Sequence, residues 1–465
     1  MPKKHVASFY QLNGLFGKLP DYLDRIALKN RLYVLFFIHH FVETAFSMAT
    51  KKLRFAAIGC SHQGWSDISR IGSHSNVKMV ALCDVDSTRF KQADKQWPGL
   101  PKFSDFRVMF DKMGKEIDAV NVSVPDHQHA FISQEAMNRG LHVYCEKPLT
   151  HTVWEARQMA KLAKKTGVVA RMGNQIHSEP QYRNSKLVIQ QDKAIGKVKE
   201  IHTWISAVGH GRAGLLNPPE NPEKAPPELN WDQWIGPAPF REYGGDKIYH
   251  PFSWRDWQDF GSGSMGDNGC HLLDPLFTAL NLTAPLSIKN NHSGMNDQIW
   301  PSSETVEYIF PGTEYTENDT VKITWYDGGR RPKWKYKGVP SGRDIMGPAS
   351  LVVGTKGYLL IPHWGTPKLY PEKDFADYKL PDAGPAHHWH DWVDACLEGN
   401  TQISDNFAYA GPLTEAVQLG NVAVHFPNQE LNWDAKRLKI SNIHEANQYL
   451  TKTYRKGWEV DEVTL

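Results

Sequence analysis

Cysteine is scarce: the 465 residues hold five, Cys60, Cys83, Cys145, Cys270 and Cys396. No CxxC pair and no Cys/His metal spacing occurs among them. That excludes a disulfide framework and fits reduced thiols in a reducing, cytoplasmic setting. An excess of one charge is also missing. Lys plus Arg is 53 and Asp plus Glu is 51, for a formal charge of +2. The balance excludes a polybasic field for nucleic acid or anionic lipid. Internal repeats and low-complexity segments are absent. No apolar run reaches the ~18 residues of a membrane-spanning helix. The nearest, Leu32 to Ile38, is preceded by Lys29 and Arg31 and followed by His39, His40 and Glu43. It makes a poor secretory signal; periplasmic export would follow only if it were a native one. Met48-Ala-Thr-Lys-Lys-Leu-Arg reads as the natural start. Residues 1–47 are therefore expected to be an upstream extension, loosely docked or poorly ordered.

With 22% charged and 40% hydrophobic residues, the chain is neither disordered nor collagen-like. Its length implies two or three domains. Tryptophan is plentiful and unevenly placed, with 13 of 16 after residue 200. Such rings either fill a sheet core or meet the apolar face of a sugar.

From Leu53 onward, short apolar strands alternate with helices. Strands are predicted at 53–60, 77–83, 118–124, 142–145 and 168–172. Helices are predicted from Ser66, at 86–96, 127–139 and 152–166. The alternation implies a parallel sheet with right-handed crossovers. The first turn reads Gly59-Cys-Ser61-His62-Gln63-Gly64. It departs from the dinucleotide pattern G-x-G-x-x-G at Ser61, whose Cβ narrows the approach of a pyrophosphate. Asp84 ends the second strand, 20 residues beyond Gly64. A carboxylate there bonds the ribose diol and repels a 2′-phosphate, which favours NAD over NADP. The alternative is a phosphate-free turn with Asp84 as a helix cap.

Three further motifs follow: Val124-Pro125-Asp126-His127-Gln128-His129, Cys145-Glu146-Lys147-Pro148-Leu149, and Gly261-Ser-Gly-Ser-Met-Gly-Asp267-Asn-Gly-Cys-His271. With the Gly59 turn they resemble the glucose–fructose oxidoreductase/inositol dehydrogenase/rhizopine-catabolism (Gfo/Idh/MocA) family, over about residues 51–435. The resemblance implies an α/β fold: a doubly wound Rossmann domain, then an α+β domain with a large, open, mostly antiparallel sheet. The domains are expected at 51–173 for NAD binding and 174–440 for substrate and oligomerisation. A tail at 441–465 follows, and C-terminal helices pack back on the first domain. Relatives pair through the open sheet, so a homodimer or homotetramer is expected.

Hydride transfer from a secondary alcohol needs a base for the hydroxyl proton and a stabiliser for the alkoxide. Lys147, at the C-terminal edge of the parallel sheet, suits both tasks. Burial and a nearby nicotinamide charge should lower its pKa. Asp267 and His271 lie four residues apart on one helical face. The resemblance makes His271 the acid/base beside Lys147, with Asp267 orienting a hydroxyl or the ammonium. It also makes Gly59, Ser61, His62, Gln63, Gly64, Asp84, Val124, Pro125, His129, Glu146 and Lys147 candidate cofactor contacts. For Asp126 and His129, capping the next helix is an equal alternative. Gln175, His177, Tyr182, Arg183, Trp234 and Arg255 are candidate substrate contacts, each with a structural alternative. His177, His210 and His271 fit no metal spacing, so no metal is expected.

In the second domain, strands are predicted at 196–206, 320–325, 350–353 and 357–361, and helices at 385–397 and 413–426. Residues 215–239, rich in Pro, Asn and Trp, read as a long irregular excursion, and its segment 231–239 resembles the loop that sugar-acting members of the family place near the substrate mouth. The leading function is an NAD-dependent oxidoreductase acting on a secondary hydroxyl of a sugar, polyol or glycoside. The alternatives are a redox-neutral NAD-dependent glycosidase and a non-catalytic NAD-binding sensor.

Overall fold

The computed structural model describes residues 52–206 and 215–464. The expected upstream extension, its apolar run and His210 lie outside them. The first sheet is built from β1 (Leu53–Ile58), β2 (Val77–Cys83), β3 (Lys102–Phe103), β4 (Ala119–Val122), β5 (His142–Glu146) and β6 (Ala170–Gly173). Helices α1 (Gln63–Gly72), α2 (Lys91–Gln96), α3 (Phe106–Met113), α4 (His129–Asn138) and α5 (Val153–Thr166) connect them. Every pairing is parallel, in the order β3-β2-β1-β4-β5-β6. The order reverses between β1 and β4, which opens a crevice at the strands' C-terminal ends. β4 and β5 are buried nearly throughout, as apolar strands covered on both faces must be. The two-residue β3 and the helix α3 carried too little periodicity to be anticipated. α1 opens at Gln63, three residues earlier than expected.

The second part contains α6 (Pro180–Gln190), β7 (Val198–Trp204), α7 (Trp231–Ile235), α8 (Gly263–Leu280), β8 (Ser287–His292), β9 (Glu304–Pro311), β10 (Thr320–Tyr326), β11 (Ala349–Gly354), β12 (Tyr358–Pro362), β13 (Lys368–Tyr370), α9 (His388–Glu398), α10 (Phe407–Val424), β14 (Glu430–Asp434) and β15 (Lys439–Ile440). Nine strands form one sheet, in the order β13-β12-β11-β7-β10-β9-β8-β14-β15. Only β7 and β10 pair in parallel. Along β9 burial alternates strictly. Val306, Tyr308 and Phe310 face inward, and Phe277 of α8 meets Phe310 edge-on at 5.6 Å. A Cβ on Gly420 of α10 would sit 2.3 Å from the Tyr308 hydroxyl, so that helix lies against the sheet only because the residue is glycine. On the opposite face, Trp334 and Tyr336 fold over Trp204 and Tyr358, at ring separations of 5.7 and 5.1 Å.

α10 begins at Phe407, six residues before its expected start, because Asn406 accepts a hydrogen bond from the Tyr409 N–H. α9 joins the first sheet's core: Trp392 meets Phe55 at 6.2 Å and Tyr144 at 5.7 Å. The closing residues also dock there. Arg107 of α3 lies 4.2 Å over the Trp458 ring, and the Val463 N–H donates to Gln158 of α5 at 2.8 Å.

Candidate active site

The crevice at the β1/β4 switch is a cavity of about 260 Å³. Its floor is the first turn. Gly59 has φ +88°, and a Cβ there would lie 2.0 Å from the Ser123 carbonyl oxygen. A Cβ on Gly64 would lie 2.5 Å from the Gly59 carbonyl oxygen. Both positions admit only glycine, which leaves a cradle of bare backbone at the N-terminus of α1. Ser61, His62 and Gln63 complete the lip. Asp84 ends β2 with its carboxylate aimed by the N–H groups of Cys60, at 2.9 Å, and Asp86, at 3.0 Å. Burial raises its pKa to about 6 against these two donors. Val124 and Pro125 line the β4 side. A backbone cradle with an oriented carboxylate beyond it fits the pyrophosphate and ribose of a dinucleotide.

Glu146 ends β5 and lines the same cavity. It accepts from Gln175 at 2.5 Å, from Gln63 at 3.4 Å and from the Lys147 N–H at 3.2 Å. Burial and the neighbouring Asp67 carboxylate hold Glu146 well above the usual carboxylate range. Asp67 is pushed by burial to about 6 and accepts from Trp389, Ser123 and Gln63.

Lys147 reaches across to α8. Its Nζ donates to the Asp267 carbonyl at 2.7 Å and to Asp267 Oδ1 at 2.6 Å. Burial pulls its pKa down, but Asp267 and Glu146 outweigh burial and raise it. The expected lowering is thus corrected, and Lys147 is a clamped ammonium at neutral pH. One turn further, His271 Nδ1 lies 2.5 Å from Asn174 Oδ1. The amide nitrogen of Asn174 donates to the Cys270 carbonyl at 3.1 Å, which fixes the amide's orientation. Its Oδ1 must accept, so Nδ1 of His271 carries the proton and Nε2 carries the lone pair. Burial, then Lys147 and His363, keep His271 well below its ordinary pKa and hence neutral.

Arg255 lines the cavity, with its guanidinium 4.4 Å from the Phe252 ring and 4.3 Å from the Trp254 ring. Its Nε lies 3.3 Å from Asp267 Oδ1. Trp234 also lines the cavity, but its ring is 1% exposed and stacks on Trp231 at 4.7 Å and 11°. It is a wall rather than an open platform.

Four candidates lie elsewhere. His129 holds the Pro148 and Val124 carbonyls at 2.7 and 2.8 Å, supporting the loop rather than facing the cavity. His177 pairs with Asp274 at 2.8 Å and Ser404 at 3.0 Å. Tyr182 bonds His363 at 3.0 Å. Arg183 donates to the carbonyls of Gly384 and Ala383, both at 2.6 Å. The polar atoms of these side chains are taken by protein groups, so His177, Tyr182 and Arg183 brace the site instead of lining it.

The structure also brings in His250, Phe252 and Arg89, which the sequence did not single out. The end of the excursion expected beside the substrate mouth belongs instead to a strap over 226–255 that crosses the cofactor end, because its backbone bonds the turn after β2. The Ser87 N–H donates to the Glu228 carbonyl at 2.9 Å, and the Asn230 N–H to the Val85 carbonyl at 2.8 Å. His250 lies 3.0 Å from Asp86, and Phe252 lies 6.1 Å from His62. His250, Phe252 and Arg89 line the cavity. Asp126 lines it as well and anchors the start of α8 by accepting from the Ser262 N–H at 3.1 Å. Burial, opposed by Arg255 and reinforced by Asp267, raises Asp126 from 3.8 to about 7. A carboxyl whose folded pKa is raised stabilises most below its unfolded value, and that stability is lost as pH rises through about 7. Asp126→Asn should therefore stabilise the protein at pH 8, by up to roughly 4 kcal/mol, with little change at pH 4. Thermal melts at both pH values check this.

Among the described residues, no group of three or more His, Cys, Asp or Glu is placed to hold a metal. No helix among them is long and apolar enough to cross a membrane. All five cysteines are buried free thiols.

Fold and cradle together define an NAD-binding Rossmann protein with an appended α/β domain. Family models described as "Oxidoreductase family, NAD-binding Rossmann fold" and "Oxidoreductase family, C-terminal alpha/beta domain" match residues 53–174 and 213–343. The chain belongs to the Gfo/Idh/MocA oxidoreductase family. It is 26% identical over 147 residues to inositol 2-dehydrogenase of Corynebacterium glutamicum, covering 31% of this chain and 43% of that protein. The chain thus spans about two-fifths of the length of the first curated relatives it matches. Solved structures agree in fold. The WlbA dehydrogenase of Bordetella pertussis, in complex with NADH and UDP-GlcNAcA, has a TM-score of 0.58 at 16% identity over 83% of this chain and 99% of that one. An aldose–aldose oxidoreductase from Caulobacter crescentus has a TM-score of 0.55 at 16% identity, over 82% and 100%.

Proposed function

We propose that this chain oxidises a secondary hydroxyl of a sugar, polyol or glycoside. The observation that carries the reading is the locked tautomer of His271 beside the clamped ammonium of Lys147. Bound NAD supplies the hydride acceptor. The carbinol C–H bond breaks with its electron pair, and the hydroxyl proton passes to the His271 Nε2 lone pair. The Lys147 ammonium stabilises the developing alkoxide, and Asp267 keeps it in place. Arg255 and Gln175 orient the remaining oxygens. A low pKa suits His271 as a base that is already neutral when substrate arrives. Relatives named inositol 2-dehydrogenase and D-apiose dehydrogenase support a polyol or sugar substrate.

The strap favours a second reading. Its bonds to Val85, Asp86 and Ser87 lie over the adenosine end of the cradle, so cofactor exchange requires the strap to lift. A captive cofactor suits a redox-neutral glycosidase. Oxidation at one ring carbon acidifies the neighbouring C–H, elimination releases the glycosidic substituent, water adds, and the hydride returns.

One measurement separates the two readings: protein with stoichiometric NAD and a glycoside panel, followed at 340 nm with released sugar assayed in parallel. A lasting absorbance rise with an oxidised product supports the dehydrogenase. Released sugar with a transient or absent rise supports the glycosidase. Neither signal on any substrate would sink both.

A further inference from the structure

The segment after β12 comes up beside His271 of the site. The β11–β12 ladder pairs Ala349 with Pro362, and the His363 N–H extends it by donating to the Pro348 carbonyl at 2.9 Å. α6 grips the same residue twice. Gln181 donates to the His363 carbonyl at 3.0 Å, and the Tyr182 hydroxyl meets Nδ1 at 3.0 Å. Tyr182 is itself 2% exposed, so the His363 ring is held from beneath by a fixed partner. That ring lies 5.3 Å from the ring of His271. Burial, then the Lys147 cation, lowers it to about 4, so it is a neutral hydrogen-bonding group.

Trp364 follows, with its ring 4.7 Å from His363 and inclined at 64°. It is 69% exposed, and is the one tryptophan among the exposed large apolar side chains of the described residues. Trp204, Trp234, Trp257, Trp325 and Trp392 are all fully buried. The Trp364 indole stands two ring-to-ring steps, of 4.7 and 5.3 Å, from the proposed base. Gly365 has φ +108°, and a Cβ there would meet only Pro362 Cγ, at 3.9 Å, so the next residue leaves the ring uncrowded.

We propose that His363 and Trp364 form an outer carbohydrate subsite. The substrate is then an extended glycoside: the ring to be oxidised lies at His271, and the following ring or aryl group stacks on Trp364. This rests on the carbohydrate reading above. Indole offers a flat apolar face to sugar C–H groups, and His363 offers a hydrogen bond at the ring junction. An open polyol ending at His271 would leave the indole without a partner.

The test uses the full chain with NAD, and disaccharides and p-nitrophenyl glycosides of gluco, galacto and manno configuration, each beside its methyl glycoside. Trp364→Ala should lower the ratio of kcat/KM, extended over methyl, by about 10- to 100-fold, and Trp364→Tyr should retain most of it. Saturation-transfer NMR on the same disaccharides gives a readout independent of turnover: outer-ring signals in the wild type, lost in Trp364→Ala. Turnover with an unchanged ratio overturns the subsite and leaves the oxidoreductase reading intact. An outer-ring signal lost in the variant, without turnover in either protein, supports the subsite and overturns the oxidoreductase reading. Absence of both signals overturns both. A variant that changes sedimentation but not the ratio assigns Trp364 to a contact between copies of the chain and overturns the subsite.

Discussion

His271→Gln should lower kcat by about 10²- to 10⁴-fold, the usual contribution of a positioned general base, while NAD still binds. The argument rests on one amide. Asn174 donates to Cys270 and can only accept from His271, so the imidazole is fixed with its lone pair on Nε2. Glutamine preserves much of the bulk and removes the base. Lys147→Ala should also lose orders of magnitude, by a different route. It removes the cation proposed to face the alkoxide and leaves Asp267 with one fewer counter-charge. Because burial and Lys147 hold His271 well below 6.5, wild-type kcat/KM should stay flat on the acid side down past pH 6.5. In Lys147→Ala the limb should move toward higher pH, since one cause of the lowering is gone. Stopped-flow hydride transfer, pH profiles and NADH fluorescence titration check these outcomes. Undiminished turnover in His271→Gln would remove it as the base, and an unmoved limb in Lys147→Ala would remove the electrostatic account.

Much of this site was legible in the chain because its chemistry is carried by local motifs. Gly59, Gly64 and Asp84 are tied to a strand–turn–helix, whose geometry the alternation of apolar runs dictates. Asp267 and His271 share a helical face by spacing alone. What the sequence could not disclose depends on contacts between distant segments. Nothing local to Lys147 reveals that Asp267, 120 residues later, makes a salt bridge strong enough to reverse the effect of burial. His177, Tyr182 and Arg183 carry the right chemistry for sugar binding. Their partners Asp274, His363 and Gly384 come from other elements, and only the fold shows that these side chains are engaged. The same holds for His363 and Trp364, which follow a strand with no motif to mark them. A histidine whose partner is a tyrosine 181 residues away has no sequence signature. In the second domain burial alternates strictly over 304–311, but Glu304 is buried and Ile309 lies on the other face, so the sequence of β9 does not carry the same alternation.

Arg171→Met should destabilise the protein by about 3–5 kcal/mol, the cost of leaving a buried carboxylate without its partner. Arg171 lies on β6, 3% exposed, with its Nε 2.7 Å from Asp405, which is fully buried. Its Nη1 donates to the His388 carbonyl at 2.5 Å, so one guanidinium ties the first sheet to the start of α9 and to the segment before α10. The backbone repeats the tie, since the Met172 N–H donates to the Asp405 carbonyl at 3.2 Å. Removing both charges is a different matter. In Arg171→Met/Asp405→Leu no buried ion is left unpaired, and most of the lost stability should return. Urea denaturation of the single and double variants measures this; a double variant no more stable than the single one would refute it. The network also has a functional reach. β6 ends at Gly173, next to Asn174, whose amide sets the tautomer of His271. Loss of the Arg171–Asp405 pair loosens the hold on β6, which leads directly into Asn174. The single variant should therefore lose kcat even where it remains folded, and the double variant should regain kcat together with stability. If stability returned without kcat, the ion pair would be positioning Asn174 through its own geometry rather than through the strand's packing.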